Sequence, residues 1–239
     1  MANLTQLKML EDLNAVLLVD KPAGIAFSTV VKTVKRKFNL VKVGHGGSLD
    51  TAASGLLVLL INDANKYVGD VMGADRSYFG TMRLGLRTNT GDTHGEVLGK
   101  QDVGGVSPET LEARREEFLG DVFLTEPRFC SVRREGAAEY EIADTGEHKP
   151  LLVHVWDFKL GELSGDALPF EVSATKGVIV RSLVSDFGDA LGYGAALDAC
   201  RRTRVGNFAV EDAIKFSALL ETDIGDFASC TIPLAKALR

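Results

Sequence analysis

Residues 44–55, GHGGSLDTAASG, and the apolar run LLVLLI at 56–61 decide how this chain is organised. Small residues flank Asp50 on both sides, so the backbone here can lie very close to its neighbours. A short apolar run bounded by turn residues is typical of a buried strand. The stretch therefore predicts that Asp50 lies on a glycine-rich loop anchored to the core. The residues alone also allow a plainer interpretation, in which Asp50 caps a turn and His45 is an ordinary polar residue.

The composition of the whole chain is that of a globular protein. Of its 239 residues, 45% are hydrophobic and 25% are charged, and no apolar run approaches the roughly 18 residues that span a bilayer. The N-terminal stretch lacks the features of a signal peptide, so we expect a cytoplasmic protein without a membrane segment. Three widely spaced cysteines, Cys130, Cys200 and Cys230, predict neither a disulfide nor a metal site.

Charge is distributed unevenly along the chain. The net charge of −6 argues against a protein that wraps nucleic acid extensively. However, residues 1–50 carry a net +3, whereas residues 101–150 carry −6. This distribution allows a basic face opposite an acidic one.

Hydrophobic periodicity predicts an alternation of strands and helices. Residues 15–20 indicate a first strand, and a helix capped by Ser28 follows, with apolar residues on one face and Lys32, Lys35 and Arg36 on the other. That basic face is either simply solvated or in contact with phosphate. Asp63 is a candidate cap for a short helix, and the residues expected to point inward from it are Ala64, Tyr67, Val68, Val71 and Met72.

The second half of the chain continues in the same way. We expect a strand at 77–84, a loop at 87–95, a helix capped by Ser107, a hairpin of strands 151–160 and 167–175, and a helix at 180–191. Arginines 201, 202 and 204 lie in a further strand. No linker divides the chain, so the sequence predicts one α+β domain over 1–239, with 101–150 as a peripheral charged segment. Nucleotide-binding and hydrolase motifs such as GxxxxGK, GxGxxG, HExxH and GxSxG are missing.

Several collinear segments together resemble the TruB family of tRNA pseudouridine-55 synthases over nearly the whole chain. LVDKPAGIAFS (18–28) is similar to the DKPxGxxS motif of that family, and GHGGSLDTAASG to its GHxGxLDPxAxG motif. Residues 176–192, KGVIVRSLVSDFGDALG, resemble KGTYIRxLxxDLGxxLG, and 200–214, CRRTRVGNFAVEDAI, resemble LRRTRxGxFxxxxAI. The resemblance implies a pseudouridine-synthase-like domain, with a mixed, mainly antiparallel sheet flanked by helices and an active-site cleft across it.

The resemblance also implies roles for individual residues. Asp50 matches the aspartate that attacks the target nucleotide, in a reaction that needs no cofactor and no metal. Arg181 matches the arginine that pairs with this aspartate, and Tyr78 the tyrosine that stacks on the flipped uracil. His45 matches a histidine that enters the space left by the extruded base. Lys21 and Pro22 match a motif that supports the loop, while Arg202 and its neighbours are candidates for phosphate contacts.

The chain also departs from the family pattern. Gly46 replaces a threonine, Thr51 a proline, Ile179 a tyrosine and Cys200 a leucine that lines the base pocket. The chain ends where the family's catalytic domain ends, so we expect no C-terminal PUA domain and a weaker affinity for RNA.

Two functions remain in view. The first is an isomerase that converts uridine 55 in the T-loop of tRNA to pseudouridine, acting as a monomer on RNA and not on DNA. The alternative is a diverged relative that binds or refolds RNA with little or no catalysis. The departures at Gly46, Thr51 and Ile179 motivate this alternative.

Overall fold

The computed structural model describes residues 10–127, 129–133, 140–144 and 150–237, in which strands are connected by short helices. The strands are β1 (Ala15–Lys21), β2 (Val43–His45), β3 (Ser54–Ile61), β4 (Arg76–Leu84), β5 (Leu86–Thr88), β6 (Val97–Lys100), β7 (Gly120–Thr125), β8 (Phe129–Arg133), β9 (Tyr140–Asp144), β10 (Pro150–Leu160), β11 (Ala167–Ala174), β12 (Ala195–Val205), β13 (Phe208–Ala209), β14 (Ile214–Lys215) and β15 (Ile232–Pro233). The α-helices are α1 (Phe27–Lys37), α2 (Val68–Gly73), α3 (Pro108–Glu116), α4 (Val180–Ala190), α5 (Phe216–Glu221) and α6 (Leu234–Ala237). Short 3₁₀ helices cover Asn62–Tyr67, Val210–Asp212 and Ile224–Cys230.

The contacts divide the chain into two compact units. The first unit extends up to Ala74 and resumes at Arg202, and the second is Asp75–Arg201. Strand β12 runs through this boundary, so its last residues belong to the first unit, where β13 pairs with them. β8 and β9 pair only with each other among the described strands.

The first unit is built on β3, the strand that the apolar run at 56–61 predicts. β3 pairs antiparallel with β1, and β1 pairs in parallel with β14. Alternate residues of β3 face two separate hydrophobic clusters, with Leu57 and Leu59 on one side and Leu56 and Val58 on the other. A strand that is covered on both faces needs apolar side chains at every position, which explains the unbroken run.

Helix α1 covers one face of this sheet. Val30, Val34 and Phe38 are buried against it, as the helical spacing predicts, and the Phe38 ring stacks on Phe227 with 3.9 Å between centroids. The predicted cap at Ser28 is wrong, because the helix begins at Phe27 with Ala26 at the N-cap, where no side chain accepts a hydrogen bond. Extended backbone at Ala26 is enough to start the helix here.

The segment after β3 also differs from the sequence interpretation. It forms a 3₁₀ helix followed by α2, and Asp63 lies inside the first turn and caps neither. Ala64 and Val71 point inward as expected, but Met72 is exposed. The change from 3₁₀ to α geometry alters the spacing of the inward face, so Met72 turns outward.

The second unit contains a sheet in the order β4, β11, β10, β7, with all of these neighbours antiparallel. β10 and β11 form the predicted hairpin. Helices α3 and α4 cover its apolar face, where Phe158 and Phe187 meet edge to face at 5.6 Å between centroids. Ser107 caps α3 as predicted, accepting the backbone N–H of Thr110 at 3.2 Å.

The predicted loop at 87–95 is wrong at its first residues. Arg87 and Thr88 lie in β5, which pairs with β6. The sequence predicted no strand at β6, and without this partner the residues of β5 could not be recognised as a strand. Elsewhere the α+β class and the mixed, mainly antiparallel pairing are confirmed. No helix in the described part of the chain is long and apolar enough to cross a membrane.

Candidate active site

The glycine-rich stretch forms a loop between β2 and β3 in the first unit. Main-chain hydrogen bonds fix its backbone: Gly46 N–H donates to Val58 O at 2.8 Å, and Ala53 N–H donates to Asp50 O at 3.1 Å. Leu49 and Ala53 are buried, whereas Asp50 between them is exposed. The prediction of an aspartate on a loop anchored to the core is confirmed.

Glycine is required at both ends of this loop. A Cβ on Gly46 would lie 2.2 Å from Val71 Cγ1, so α2 packs directly on the loop backbone. Gly55 has a φ of +103°, and a Cβ there would lie 2.3 Å from the carbonyl oxygen of Arg202. The small residues therefore let the loop approach α2 on one side and β12 on the other.

Lys21 holds the loop from the end of β1. Its side chain is fully buried, and close by Gly24 N–H donates to Thr51 O at 2.8 Å. Burial lowers the pKa of the Lys21 ammonium to about 8, an effect that the Asp50 carboxylate opposes and the Arg202 guanidinium increases. The supporting role expected for Lys21 is consistent with these contacts. The carbonyl oxygens that accept from Lys21 Nζ are those of Pro22 at 2.9 Å, Ile25 at 2.8 Å and Thr51 at 3.4 Å.

Arg202 holds the loop from β12. Its side chain is 1% exposed, and its Nε and Nη1 atoms donate to Leu56 O and Ser48 O, each at 2.8 Å. Nη2 donates to Gly47 O at 3.3 Å. The sequence placed Arg202 among the candidates for phosphate contacts. Its guanidinium is instead inside the first unit, where it donates to two carbonyls of the loop and to that of Leu56 in β3.

His45 stands at the end of β2, just before the loop. It is half-buried, its ring contacts that of Phe27 with 4.9 Å between centroids, and its Nδ1 accepts the Gly47 N–H at 3.3 Å. These contacts orient the ring at the entrance of the loop.

Tyr78 lies in the second unit, on β4. It is opposite Val172 of β11, is 7% exposed and belongs to the hydrophobic cluster of this unit. Burial within this cluster restricts the orientation of the ring, which suits a side chain that must present one edge or face to a ligand.

Arg181 is the second residue of α4, near the positive end of the helix dipole. Its Nη1 donates to the carbonyl oxygen of Thr90 at 2.9 Å. Thr90 belongs to the segment after β5, which is fixed to β12 because Leu197 N–H donates to Gly91 O at 2.9 Å. A carbonyl partner thus offsets part of the cost of a cation at this helix end. Pairing of Arg181 with an aspartate stays a prediction.

The other two residues expected to line a base pocket are also in the second unit. Ile179 is the N-cap of α4, with φ −106° and ψ 104°, and its side chain is partly exposed. Cys200, on β12, is partly buried against the hydrophobic cluster of this unit. Neither position is closed to a ligand.

Several basic side chains are exposed on the surface of the first unit. Lys32, Lys35 and Arg36 on α1 are exposed, and so is Arg204 on β12. Within the described residues no three His, Cys, Asp or Glu side chains come together as a metal site would need.

Two of these contact residues, one in each unit, could not be found from the sequence. Nothing distinguishes Arg202 from Arg201 and Arg204 in a run of arginines, yet only Arg202 is buried. Thr90 carries no motif at all. A sequence pattern that marked position 202 as facing inward on β12 could have separated Arg202 from its neighbours.

Comparison with known proteins gives matches over most of the chain. A model of the TruB family pseudouridylate synthase (N terminal domain) matches residues 35–180. A protein from Burkholderia pseudomallei (strain 668) named tRNA pseudouridine synthase B is 39% identical over 210 residues, which are 87% of this chain and 69% of that protein. A protein of the same name from Nitrosococcus oceani is 35% identical over 234 residues, covering 95% of this chain and 76% of that protein.

Solved structures agree on the fold. The chain superposes on a chain of an H/ACA RNP bound to a substrate RNA containing 2′-deoxyuridine with a TM-score of 0.72 at 24% identity, covering 96% of this chain and 62% of that chain. For the archaeal box H/ACA sRNP Nop10-Cbf5 complex the TM-score is 0.70 at 25% identity, and the coverage is 97% and 63%. The chain thus spans less than two thirds of those structures. It has the fold of the pseudouridine synthases, and it belongs to the TruB family of pseudouridylate synthases.

Proposed function

We propose that this chain converts a uridine of tRNA, uridine 55 in the T-loop, to pseudouridine. The observation that carries the proposal is the 39% identity to a protein named tRNA pseudouridine synthase B over 87% of this chain. The same similarity makes tRNA the proposed partner. Action as a monomer, in the cytoplasm and not on DNA remains part of the proposal.

The proposed reaction is an isomerisation. The bond from N1 of uracil to C1′ of ribose breaks, the base turns, and a bond from C5 to C1′ forms. The C5 proton is lost to solvent and N1 gains a proton, so atoms and electrons balance without a co-reactant. Such chemistry needs one carboxylate that holds either the ribose or the base, so that the part that is not held can turn.

We assign that carboxylate to Asp50. Its support is local: Asp50 is exposed at the tip of a loop whose backbone is held on both sides by buried cations, Lys21 and Arg202. A loop held in this way keeps its geometry while a nucleotide binds, and catalysis depends on such preorganisation.

Roles for the other residues of both units come from the resemblance. Tyr78 would stack on the extruded uracil, and Arg181 would orient the reacting carboxylate. His45 would occupy the space that the base leaves, while Ile179 and Cys200 would line the pocket. The exposed cations of α1 and Arg204 suit contacts to the phosphate backbone, which dominate affinity for RNA.

The test is single-turnover pseudouridine formation on an unmodified T-stem-loop transcript labelled with tritium at C5 of uridine. We expect tritium release and a pseudouridine product with the wild-type chain, and none with Asp50→Asn. Asp70→Asn removes another exposed carboxylate, on α2 of the same unit, and should leave the rate unchanged. Tyr78→Phe should lower the rate constant by about 10²-fold if the hydroxyl transfers a proton, and Tyr78→Leu should in addition weaken RNA binding.

Binding without product formation would contradict the proposal. If wild-type and Asp50→Asn chains both bind the transcript and neither forms product, the catalytic assignment fails and the chain is an RNA-binding relative. A transcript with cytidine at position 55 controls for the choice of uridine. Product from that transcript would show that another uridine is the target.

A further inference from the structure

We propose that Arg202 is a positioning residue that fixes the Asp50 loop by gripping its backbone on both sides of the aspartate. The inference rests on the proposed role of Asp50. According to this inference, Arg202 affects the rate constant of the reaction and does not contact phosphate.

The hydrogen bonds carry the argument. The guanidinium reaches Gly47 O and Ser48 O, which precede Asp50, and Leu56 O, which follows it. One rigid planar group thus joins the two arms of the loop. A planar fork with fixed donors can hold these carbonyls at a set distance, whereas a lysine presents a single flexible point of donation.

Burial limits the Arg202 guanidinium to these hydrogen bonds. With 1% of its side chain exposed, Arg202 has little access to a phosphate in solution. The carbonyls of Gly47 and Leu56 are held against it, and without a donor they would be left in the interior.

The backbone of Arg202 supports the same loop. Gly55 lies against the Arg202 peptide, and a Cβ there would stand 2.3 Å from its carbonyl oxygen and 2.8 Å from its nitrogen. Both the main chain and the side chain of this one residue therefore define the path that brings the chain from Asp50 into β3. Displacement of a reacting group by about 1 Å can cost about 10²-fold in rate.

The experiment compares Arg202→Lys with Arg114→Lys. Arg114 is exposed on α3 and has no proposed role in the site, so the same substitution there serves as a matched control. Single-turnover rate constants are measured at saturating enzyme, and the Kd for the transcript is measured separately. We expect Arg202→Lys to lower the rate constant by about 10²-fold with Kd unchanged within about threefold. Arg114→Lys should leave both the rate constant and Kd at their wild-type values.

Chemical rescue separates positioning from simple misfolding. Arg202→Gly should recover at least about tenfold in rate constant when methylguanidinium is added at low millimolar concentration, and should not recover with matched NaCl or urea. Native-state hydrogen exchange should show faster exchange for amides of residues 46–55 in Arg202→Lys, with the remaining core amides unchanged.

Three results would overturn the inference. They are a wild-type rate constant for Arg202→Lys, a loss that appears only in Kd, and unchanged exchange of the loop amides. If the wild-type chain itself forms no pseudouridine, the proposed function fails separately, and the exchange of the loop amides alone decides whether Arg202 fixes the loop.

Discussion

Gly55 and Arg202 are in backbone contact: Gly55 has a φ of +103°, and the space where its side chain would begin is filled by the Arg202 peptide. This contact joins the end of the Asp50 loop to β12. Backbone atoms cannot move aside as the end of a flexible side chain can, so the position admits only glycine.

Gly55→Ala should therefore be strongly destabilising. The positive φ costs about 1–2 kcal/mol for a residue with a Cβ, and the overlap with the Arg202 backbone adds about 1–3 kcal/mol. The free energy of unfolding, measured with urea, should fall by about 2–5 kcal/mol in total.

Gly24→Ala is the matched control. Gly24 also has a positive φ, +83°, but nothing lies within 4 Å of its missing side chain. It should lose only the conformational part, about 1–2 kcal/mol. Equal losses at the two positions would mean that the contact with Arg202 contributes nothing.

A second prediction concerns the position where the family keeps a threonine. Gly46→Thr should destabilise this chain by about 1–3 kcal/mol, because its Cβ would lie 2.2 Å from Val71 Cγ1 and a β-branched valine has little freedom to turn away. The glycine is thus fitted to the way α2 packs on the loop in this chain.

A double-mutant cycle tests this explanation. Val71→Ala removes the overlapping methyl group. The double substitution Gly46→Thr/Val71→Ala should therefore lose less unfolding free energy than the two single substitutions lose together, by about 1 kcal/mol or more. Urea unfolding of the four proteins provides the measurement. Additive losses would show that Val71 is not the obstacle.

Local patterns predicted much of the fold. The run at 56–61 predicted a strand buried on both faces, the spacing of Val30, Val34 and Phe38 predicted one face of α1, and Ser107 predicted the start of α3. Each depends only on neighbours in sequence. The cap at Ser28 failed because extended backbone at Ala26 starts the helix without a side-chain acceptor.

Long-range contacts could not be predicted in the same way. The loop around Asp50 was found from its composition, and the position of Arg181 in the first turn of a helix indicated a carboxylate partner. The roles of Tyr78 and Arg181 in the site came from the family resemblance. Arg202 was assigned to phosphate because three arginines in a short run are chemically alike. Only the fold decides which of them is buried beside the loop carbonyls.

The last prediction concerns the buried ammonium of Lys21 and the pH dependence of stability. Burial lowers the pKa of Lys21 from the ordinary 10.5 to about 8 in the folded chain. Between these pH values the unfolded chain binds more protons than the folded chain, so the stability of the wild type rises with pH there. The cost of burying the charge is present in full below about pH 8 and fades as the pH approaches 10.5.

Lys21→Met removes this titration, so the free energy of unfolding of the wild type should rise relative to the variant by about 3 kcal/mol at most across this window. Lys42→Met makes the same change at an exposed side chain of the same unit and serves as the control for the loss of an ammonium. Urea unfolding at half-unit pH steps gives both curves. A flat difference for Lys21→Met would mean that the buried amine keeps its ordinary affinity for protons. The carbonyls of Pro22 and Ile25, together with Asp50, would then offset the whole cost of removing the ammonium from water.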